Sequence, residues 1–496
     1  MTLRTPLASL LAAGMMLLAL AATADRADGA RPLTTGVSVV QTGFDTGFTT
    51  PETGTSFAPL AYQRMREAGA KFTRIIVYWS TVAPDKEPAD WDPTNPADPN
   101  YDWSIYDQQV RDATAAGLEP LMMIYSAPRW AERCKVDTPG ICDPDPVRFG
   151  KFSAAAAKRY DGDFEGLPEV RYWEPWNEPN LFLFFEPQYQ NGKKVSPLLY
   201  RELLNRFAGV VKTVDPANQV VAGGLAPIER PGGLGPLDFA RRVLCMTGRE
   251  KPRPKPGCAA RATFDIWANN PYTTGGPTHA SAGPDDVSLG DLREMAALLK
   301  AARRAGKIRT DLTRVPFWIT EFSWDSAPPD PGGLPMGILC RWTSEAMFRA
   351  WQAGVSKFFW LSLRDWPRPE GAPYSTTIES GLWFRGPTIE QDRPKRVLKA
   401  FRFPFVAFRK EKTISVWGRT PDSSAGRVGL WFKRSGDWRR FATARADRTG
   451  VFRLKVKTRL GRGERGRVRA KFGPELSLPF SLKPVKDFRQ PPFGRP

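Results

Sequence analysis

From about position 36 onward the chain repeats one hydrophobic pattern. An apolar, β-branched run is followed by a loop and then by a stretch with apolar residues at helical spacing. The runs Gly36–Val40, Phe72–Trp79, Glu119–Tyr125, Val170–Trp176, Gln219–Ala222, Phe264–Ala268, Val315–Thr320 and Lys357–Leu363 read as eight strands. Between them the spacing predicts helices over Tyr62–Glu67, Ser104–Ala116, Phe149–Tyr160, Leu198–Val214, Leu289–Ala305 and Ser344–Ala353. Several end in Ala-Gly, as at Ala116-Gly117 and Ala353-Gly354. Glycine is the expected left-handed helix stop there. Eight βα units close most simply into a (β/α)8 TIM barrel. An open doubly wound sheet is the alternative, but the glycine-rich ligand loop that usually accompanies it is missing.

Past Arg396 the rhythm changes. Ser415–Trp417, Val428–Phe432, Phe441–Ala444, Val451–Val456, Val468–Phe472 and Leu476–Phe480 are short apolar or alternating runs between Gly, Asp and Arg turns. That spacing reads as a small all-β sandwich, with no helical pattern in competition. The expected organisation is a signal peptide over 1–24, a catalytic barrel over 31–396, a basic β-sandwich over 397–489 and a disordered tail over 490–496.

The leader rests on Arg4, the apolar run Pro6–Ala22 and the small residues Ala22-Thr23-Ala24 ahead of Asp25. An uncleaved anchor helix is the alternative; no later segment has the length and apolarity to span a membrane. Export to the cell exterior or wall permits disulfides. Cys134 and Cys142 bracket one loop and Cys245 and Cys258 another, so two local bridges are expected, among three possible connectivities. Cys340 is left over as a buried thiol.

Composition narrows the chemistry. With 41% apolar and 25% charged residues among 496, the chain has a globular balance. A single His, at 279, excludes His-based zinc sites and His-containing triads almost everywhere. The net charge of +20 is lopsided. From position 393 onward there are 29 Lys and Arg against 7 Asp and Glu, while the first 392 residues carry 43 against 45. The basic module has three readings: attachment to an anionic polymer such as a cell-wall polysaccharide, nucleic-acid binding, or a solvated cover on the barrel. Export argues against nucleic acid.

Reactive groups of a barrel stand at the C-terminal ends of its strands. The fourth strand ends in Trp173-Glu174-Pro175-Trp176-Asn177-Glu178-Pro179-Asn180, and the seventh in Trp318-Ile319-Thr320-Glu321-Phe322-Ser323-Trp324-Asp325. Tips of strands four and seven face each other across the mouth. Two glutamates placed that way can divide acid and nucleophile roles on a glycosidic bond, provided one is protonated while the other is ionised. Water completes that reaction, so no metal and no organic cofactor is required.

Trp-Asn-Glu-Pro-Asn after strand four with Thr-Glu after strand seven resembles clan A of the glycoside hydrolases, retaining (β/α)8 enzymes. The resemblance covers about Gly36 to Asp365. It implies Glu178 as acid/base, Glu321 as nucleophile and Asn177 as donor to the sugar 2-hydroxyl. The Arg74 strand is similar to the clan's arginine-bearing strand, which implies that Arg74 steadies the nucleophile; a barrel-floor ion pair with Glu174 is the alternative. Asn269-Asn270-Pro271-Tyr272 resembles the clan's His-x-Tyr segment, so Tyr272 is expected to bond the nucleophile, and Asn270 stands where a His is usual. Family 5 also places a His after strand three, where this chain has Ala127-Pro128. The strand-four motif is closer to family 39, which includes β-xylosidases and polysaccharide endohydrolases. Trp360 is the expected sugar platform, or else barrel core. Trp79, Trp130, Trp176, Trp324 and Trp366 are further strand-end aromatics, each able to stack on a pyranose or to fill the core. Asp325 reads as a loop cap or a solvent-facing group. The expectation is an exported retaining β-glycosidase acting on an oligo- or polysaccharide. The alternatives are a non-catalytic carbohydrate-binding protein and a transglycosylase.

Overall fold

The computed structural model describes residues 31–39, 58–458 and 466–485. The expected signal peptide and the expected tail lie outside the described residues. Eight parallel strands form a closed barrel in sequence order: β1 (Thr34–Val39), β2 (Phe72–Tyr78), β3 (Glu119–Tyr125), β4 (Tyr172–Pro175), β5 (Gln219–Leu225), β6 (Ile266–Asn269), β7 (Phe317–Ile319) and β8 (Val355–Trp360). Closure pairs Thr34 of β1 with Lys357 of β8. The helices that follow them are α1 (Ala58–Glu67), α2 (Ser104–Ala115), α3 (Pro146–Arg159), α4 (Ser196–Val214), α5 (Pro236–Val243), α6 (Leu292–Arg304), α7 (Met336–Ala353) and α8 (Val397–Arg402).

Two helices were not legible in the pattern. α5 is eight residues long and α8 six, too short for a hydrophobic period to register. The second corrects the reading that only strands follow Arg396, because α8 supplies the last helix of the barrel ring.

Local chemistry sets the element ends. Asp145 caps α3 by accepting hydrogen bonds from the amides of Val147 and Arg148, at 2.8 and 2.9 Å, a contribution of about 1 kcal/mol. The floor of the barrel is aromatic: Phe72, Trp318 and Phe359 are buried together, with Tyr172 against them. Lys357 rises into this cluster, its Nζ 4.1 Å from the Phe72 ring centre and 4.3 Å from that of Trp318. Burial pushes its ammonium down to about 8, with Glu119 opposing.

Beyond the barrel lie two antiparallel sheets. β9 (Phe405–Lys410), β10 (Thr413–Arg419) and β13 (Val451–Lys457) form the smaller. β11 (Gly426–Lys433), β12 (Arg439–Ala446), β14 (Arg467–Phe472), β15 (Glu475–Leu476) and β16 (Phe480–Ser481) form the larger. Strand β9 was also absent from the expectation. Phe348 and Trp351 of α7 pack against Trp417 of β10 at 5.6 and 5.9 Å between ring centres. Arg419, fully buried, donates to Thr35 Oγ1 at 2.8 Å. The sandwich is thereby continuous with the barrel core. Among the described residues no helix is long and apolar enough to cross a membrane.

Candidate active site

The cleft at the C-terminal end of the barrel is organised around Arg74. This residue is completely buried on β2 and serves three partners. Its Nε donates to Glu174 Oε2 at 2.6 Å, its Nη1 to Glu321 Oε1, and its Nη2 to Asn177 Oδ1 at 3.2 Å. The two readings of Arg74 are therefore both realised by one guanidinium, whose planar fork has donors enough for each. Because Asn177 Oδ1 is engaged, its amide nitrogen is the group left to face the cleft.

Glu321 receives a second hydrogen bond, from Tyr272 OH at 3.1 Å. Burial, and then the nearby carboxylates, hold the Tyr272 phenol well above its ordinary value, so it stays a donor. Glu178 sits in a different setting. It is 8% exposed, has no cation at salt-bridge distance among the described residues, and its Oε1 accepts from Asn270 Nδ2 at 3.0 Å. Burial first, and the charge of Glu321 second, push its carboxyl up to about 8. One glutamate is thus paired with a cation and the other favours its proton.

Backbone geometry delivers these side chains. Trp176 and Glu178 have φ of +75° and +39°, the left-handed region that ordinary side chains seldom adopt. This double turn lies directly after β4, and the Glu178 amide donates to the Gly224 carbonyl at 3.2 Å. Gly224 has φ +56°, and a β-carbon there would stand 2.6 Å from Glu174 Oε1. Only glycine leaves room for that carboxylate.

Asn270 is itself oriented. Thr320, one residue before Glu321, donates to Asn270 Oδ1 at 2.9 Å, which turns Nδ2 toward Glu178. Since this hydrogen bond favours the ionised form of Glu178, Asn270→Ala should raise the Glu178 pKa further. The expected result is a basic limb of the kcat/KM profile displaced to higher pH; an unmoved limb would deny Asn270 this role. Arg74→Met should act on stability. It leaves buried carboxyls uncompensated, at a cost of about 3–5 kcal/mol, read as a lower denaturant midpoint. The loss should be greater at alkaline pH, where the carboxyls cannot escape by protonation.

Of the two readings of the strand-end tryptophans, sugar platform or core, four take the second. Trp79, Trp176, Trp324 and Trp360 are each no more than 1% exposed, and all four face the helix layer. Trp79 stacks on Phe152 of α3 at 5.4 Å, and Trp176 meets Phe149 of the same helix at 5.8 Å. Trp324 packs against Trp342 of α7 at 5.7 Å. Trp360 lies against Phe401 of α8 and donates from its Nε1 to the Ser380 carbonyl at 2.7 Å. They are core residues. Trp366 does line the cleft, with a buried Nε1 that has no partner among the described residues. Asp325 faces no solvent: it is buried, accepts from the Glu379 amide at 2.9 Å, and is pushed up to about 8 by burial.

The cavity around the two glutamates holds about 370 Å³. Sequence reasoning missed much of its wall. Ile76 and Tyr78 continue the inward parity of Arg74 along β2, and Tyr78 pairs in register with Tyr125 of β3. Counting by twos from Arg74 would have found the first two. Leu181, Phe184, Ile228, Arg230 and Thr274 come from loops, where no periodicity applies. The disulfides Cys134–Cys142 and Cys245–Cys258 are both present, and Cys340 is free and buried.

No protein-family model matches the sequence, and no curated protein matches it. Solved structures do resemble it. A family 39 glycoside hydrolase from the gut symbiont Bacteroides cellulosilyticus WH2 aligns with a TM-score of 0.51 at 16% identity, over 86% of this chain and 79% of the other. The family 39 enzyme from Xanthomonas axonopodis pv. citri aligns with 0.50 at 16%, over 86% and 92%. A monomeric β-xylosidase from Caulobacter crescentus CB15 aligns with 0.51 at 15%, over 87% and 98%. This chain therefore shares its fold with these solved structures, two of which are family 39 glycoside hydrolases.

Proposed function

We propose that the protein is an exported retaining β-glycosidase that hydrolyses O-glycosidic bonds of an oligo- or polysaccharide. The observation that carries this reading is the unequal treatment of two facing glutamates. Glu321 is gripped by Arg74 and Tyr272, while Glu178 is buried, has no cation at salt-bridge distance among the described residues, and is pushed up to about 8. In the first step Glu321 attacks the anomeric carbon and the C–O bond to the leaving group breaks, as Glu178 gives its proton to that oxygen. Asn177 donates to the sugar 2-hydroxyl. In the second step the ionised Glu178 takes a proton from water, whose oxygen displaces Glu321 and restores both carboxyls. Tyr78, Tyr125 and Trp366 replace the buried tryptophans as aromatic contacts for the sugar in this reading.

Proton NMR of the first-formed product from aryl β-glycosides is the test. The β-anomer should appear first and mutarotate later; an α-anomer first would overturn retention, and no hydrolysis across the panel would overturn the activity. Removal of residues 1–24 on export belongs to the same proposal, and secreted protein should begin at Asp25. The basic sandwich, in this reading, holds the enzyme on an anionic polymer.

A further inference from the structure

The outer face of the larger sandwich sheet is unusual in what it concentrates. β11, β12 and β14 are neighbours, and together they contain eight Lys and Arg and no Asp or Glu. Alternation along the strands separates two faces. Val428, Leu430, Ala444, Val468 and Ala470 are buried between the sheets. Arg427, Arg445, Arg467, Arg469 and Lys471 alternate with them and point away, and a register shift between Leu430 and Trp431 brings Arg440 opposite Trp431 on the same outer side. In register, Arg427 stands opposite Arg445, and Lys433 opposite Arg467. Like charges directly opposite in a sheet destabilise it. A cover whose work is only to pack on the barrel has no reason to carry that cost.

At the centre of this face lies Trp431, paired on one side with Arg440 and on the other with Arg469. Its neighbour two positions back is Gly429, where a β-carbon would stand 3.2 Å from the indole Nε1 and 3.7 Å from Arg440 Cδ. The absent side chain lets the indole lie down over the sheet. The indole is partly exposed, and its Nε1, turned down against the sheet, is buried without a hydrogen-bond partner among the described residues. Beside it, the Arg469 guanidinium sits 4.1 Å from the ring centre of Trp438. The result is a strip about 20 Å long and about 10 Å wide by strand geometry. It has a flat aromatic platform and flanking cations.

We propose that this face binds an anionic polysaccharide, with Trp431 stacking on a sugar ring and Arg427, Arg440, Arg445 and Arg469 pairing with its acidic groups. The proposal rests on the reading of the sandwich as an anchor to an anionic polymer, and names the surface and the ligand chemistry. A pyranose offers an apolar face to an indole, and carboxylates or sulfates along the chain match guanidinium donors. The two disulfides fit an oxidising exterior, where acidic polysaccharide rather than nucleic acid is the available polyanion.

The test uses the full-length protein with polygalacturonate, neutral xylan and oligothymidylate as probes. Polygalacturonate should bind, xylan should bind at least tenfold more weakly, and rising salt should weaken the former, as screening of exposed charges requires. Arg427→Glu with Arg445→Glu should raise the Kd for polygalacturonate tenfold or more. Trp431→Ala should raise it severalfold while keeping the salt dependence. Arg453→Glu with Lys457→Glu, exposed on the smaller sheet, changes the net charge equally and should leave the Kd within twofold. All these sites lie outside the core, and circular dichroism melts verify the fold of each variant. Equal weakening by the two charge-reversal pairs would overturn the assignment of the face and leave the anchor reading standing. Absence of polygalacturonate binding would overturn both. Tighter binding of oligothymidylate, lost in the same face variant, would replace the ligand class and overturn the polysaccharide.

Discussion

Replacing Glu321 with glycine should abolish hydrolysis of β-glycosides, with kcat falling by about 10⁴-fold or more, the scale on which loss of a nucleophile acts. The substitution leaves a gap beside Arg74 and the Tyr272 hydroxyl, the two donors that now hold the Glu321 carboxylate. Azide fits such a gap and pairs with the same cation. With an activated aryl β-glycoside it should attack the anomeric carbon from the face Glu321 used, expelling the phenolate in one displacement. The product should be the α-glycosyl azide. In Glu178→Ala the first displacement by Glu321 survives, so azide enters in the second and the product should be the β-azide. Retention demands carboxyls about 5–5.5 Å apart, whereas about 6.5–9.5 Å is needed when water must fit between them. An α-azide from the Glu178 variant, or undiminished activity without Glu321, would sink both role assignments.

The second large effect belongs to Glu178. Its carboxyl, pushed up to about 8 by burial and then by Glu321, is protonated at neutral pH. For substrates with poor leaving groups kcat/KM should decline above about pH 8, as the general acid is lost. Glu178→Gln should lower the rate on such substrates by about 10²- to 10⁴-fold, with the alkaline limb gone. Activated aryl glycosides should be spared in the first step, since their phenolates leave without help. Equal losses on both substrate classes would exclude the acid role. The same shift has a stability consequence of definite sign. The folded state binds this proton more tightly than the unfolded chain, whose glutamate titrates near 4.3. Between that pH and about 8 the unfolded state holds fewer protons, so Glu178 makes stability fall as pH rises. Glu178→Gln should therefore be more stable than the parent at pH 8, and the difference should shrink toward pH 4. Denaturant midpoints at the two pH values measure it.

Much of this was legible before any coordinates. The eight strands appear where apolar runs of four to eight residues recur, because strand and helix periods are local properties of the chain. That Glu178 and Glu321 share one cleft was legible for the same reason: both follow strand ends on one face of the barrel, and the strand ends could be counted. The partition of charge at position 393 needed only arithmetic.

Other matters depended on groups brought together through space. Whether Arg74 serves Glu174 or Glu321 was undecidable from spacing; strands four and seven stand within reach of strand two, and the guanidinium reaches both carboxylates. The tryptophans stood between two readings because composition says nothing of direction. Trp79 and Trp360 fall at positions whose side chains turn outward, and Trp176 is swung there by its +75° φ. The basic face, too, was invisible as a face: its charges are scattered along the chain, and only antiparallel register lines Arg427, Arg445, Arg440 and Arg469 around one flat indole. Local pattern determined the eight barrel strands and the longer helices, but not the short helices α5 and α8 or strand β9. Long-range pairing decided which side chains meet, because a contact between residues a hundred or more apart depends on closing the barrel and stacking the sheets.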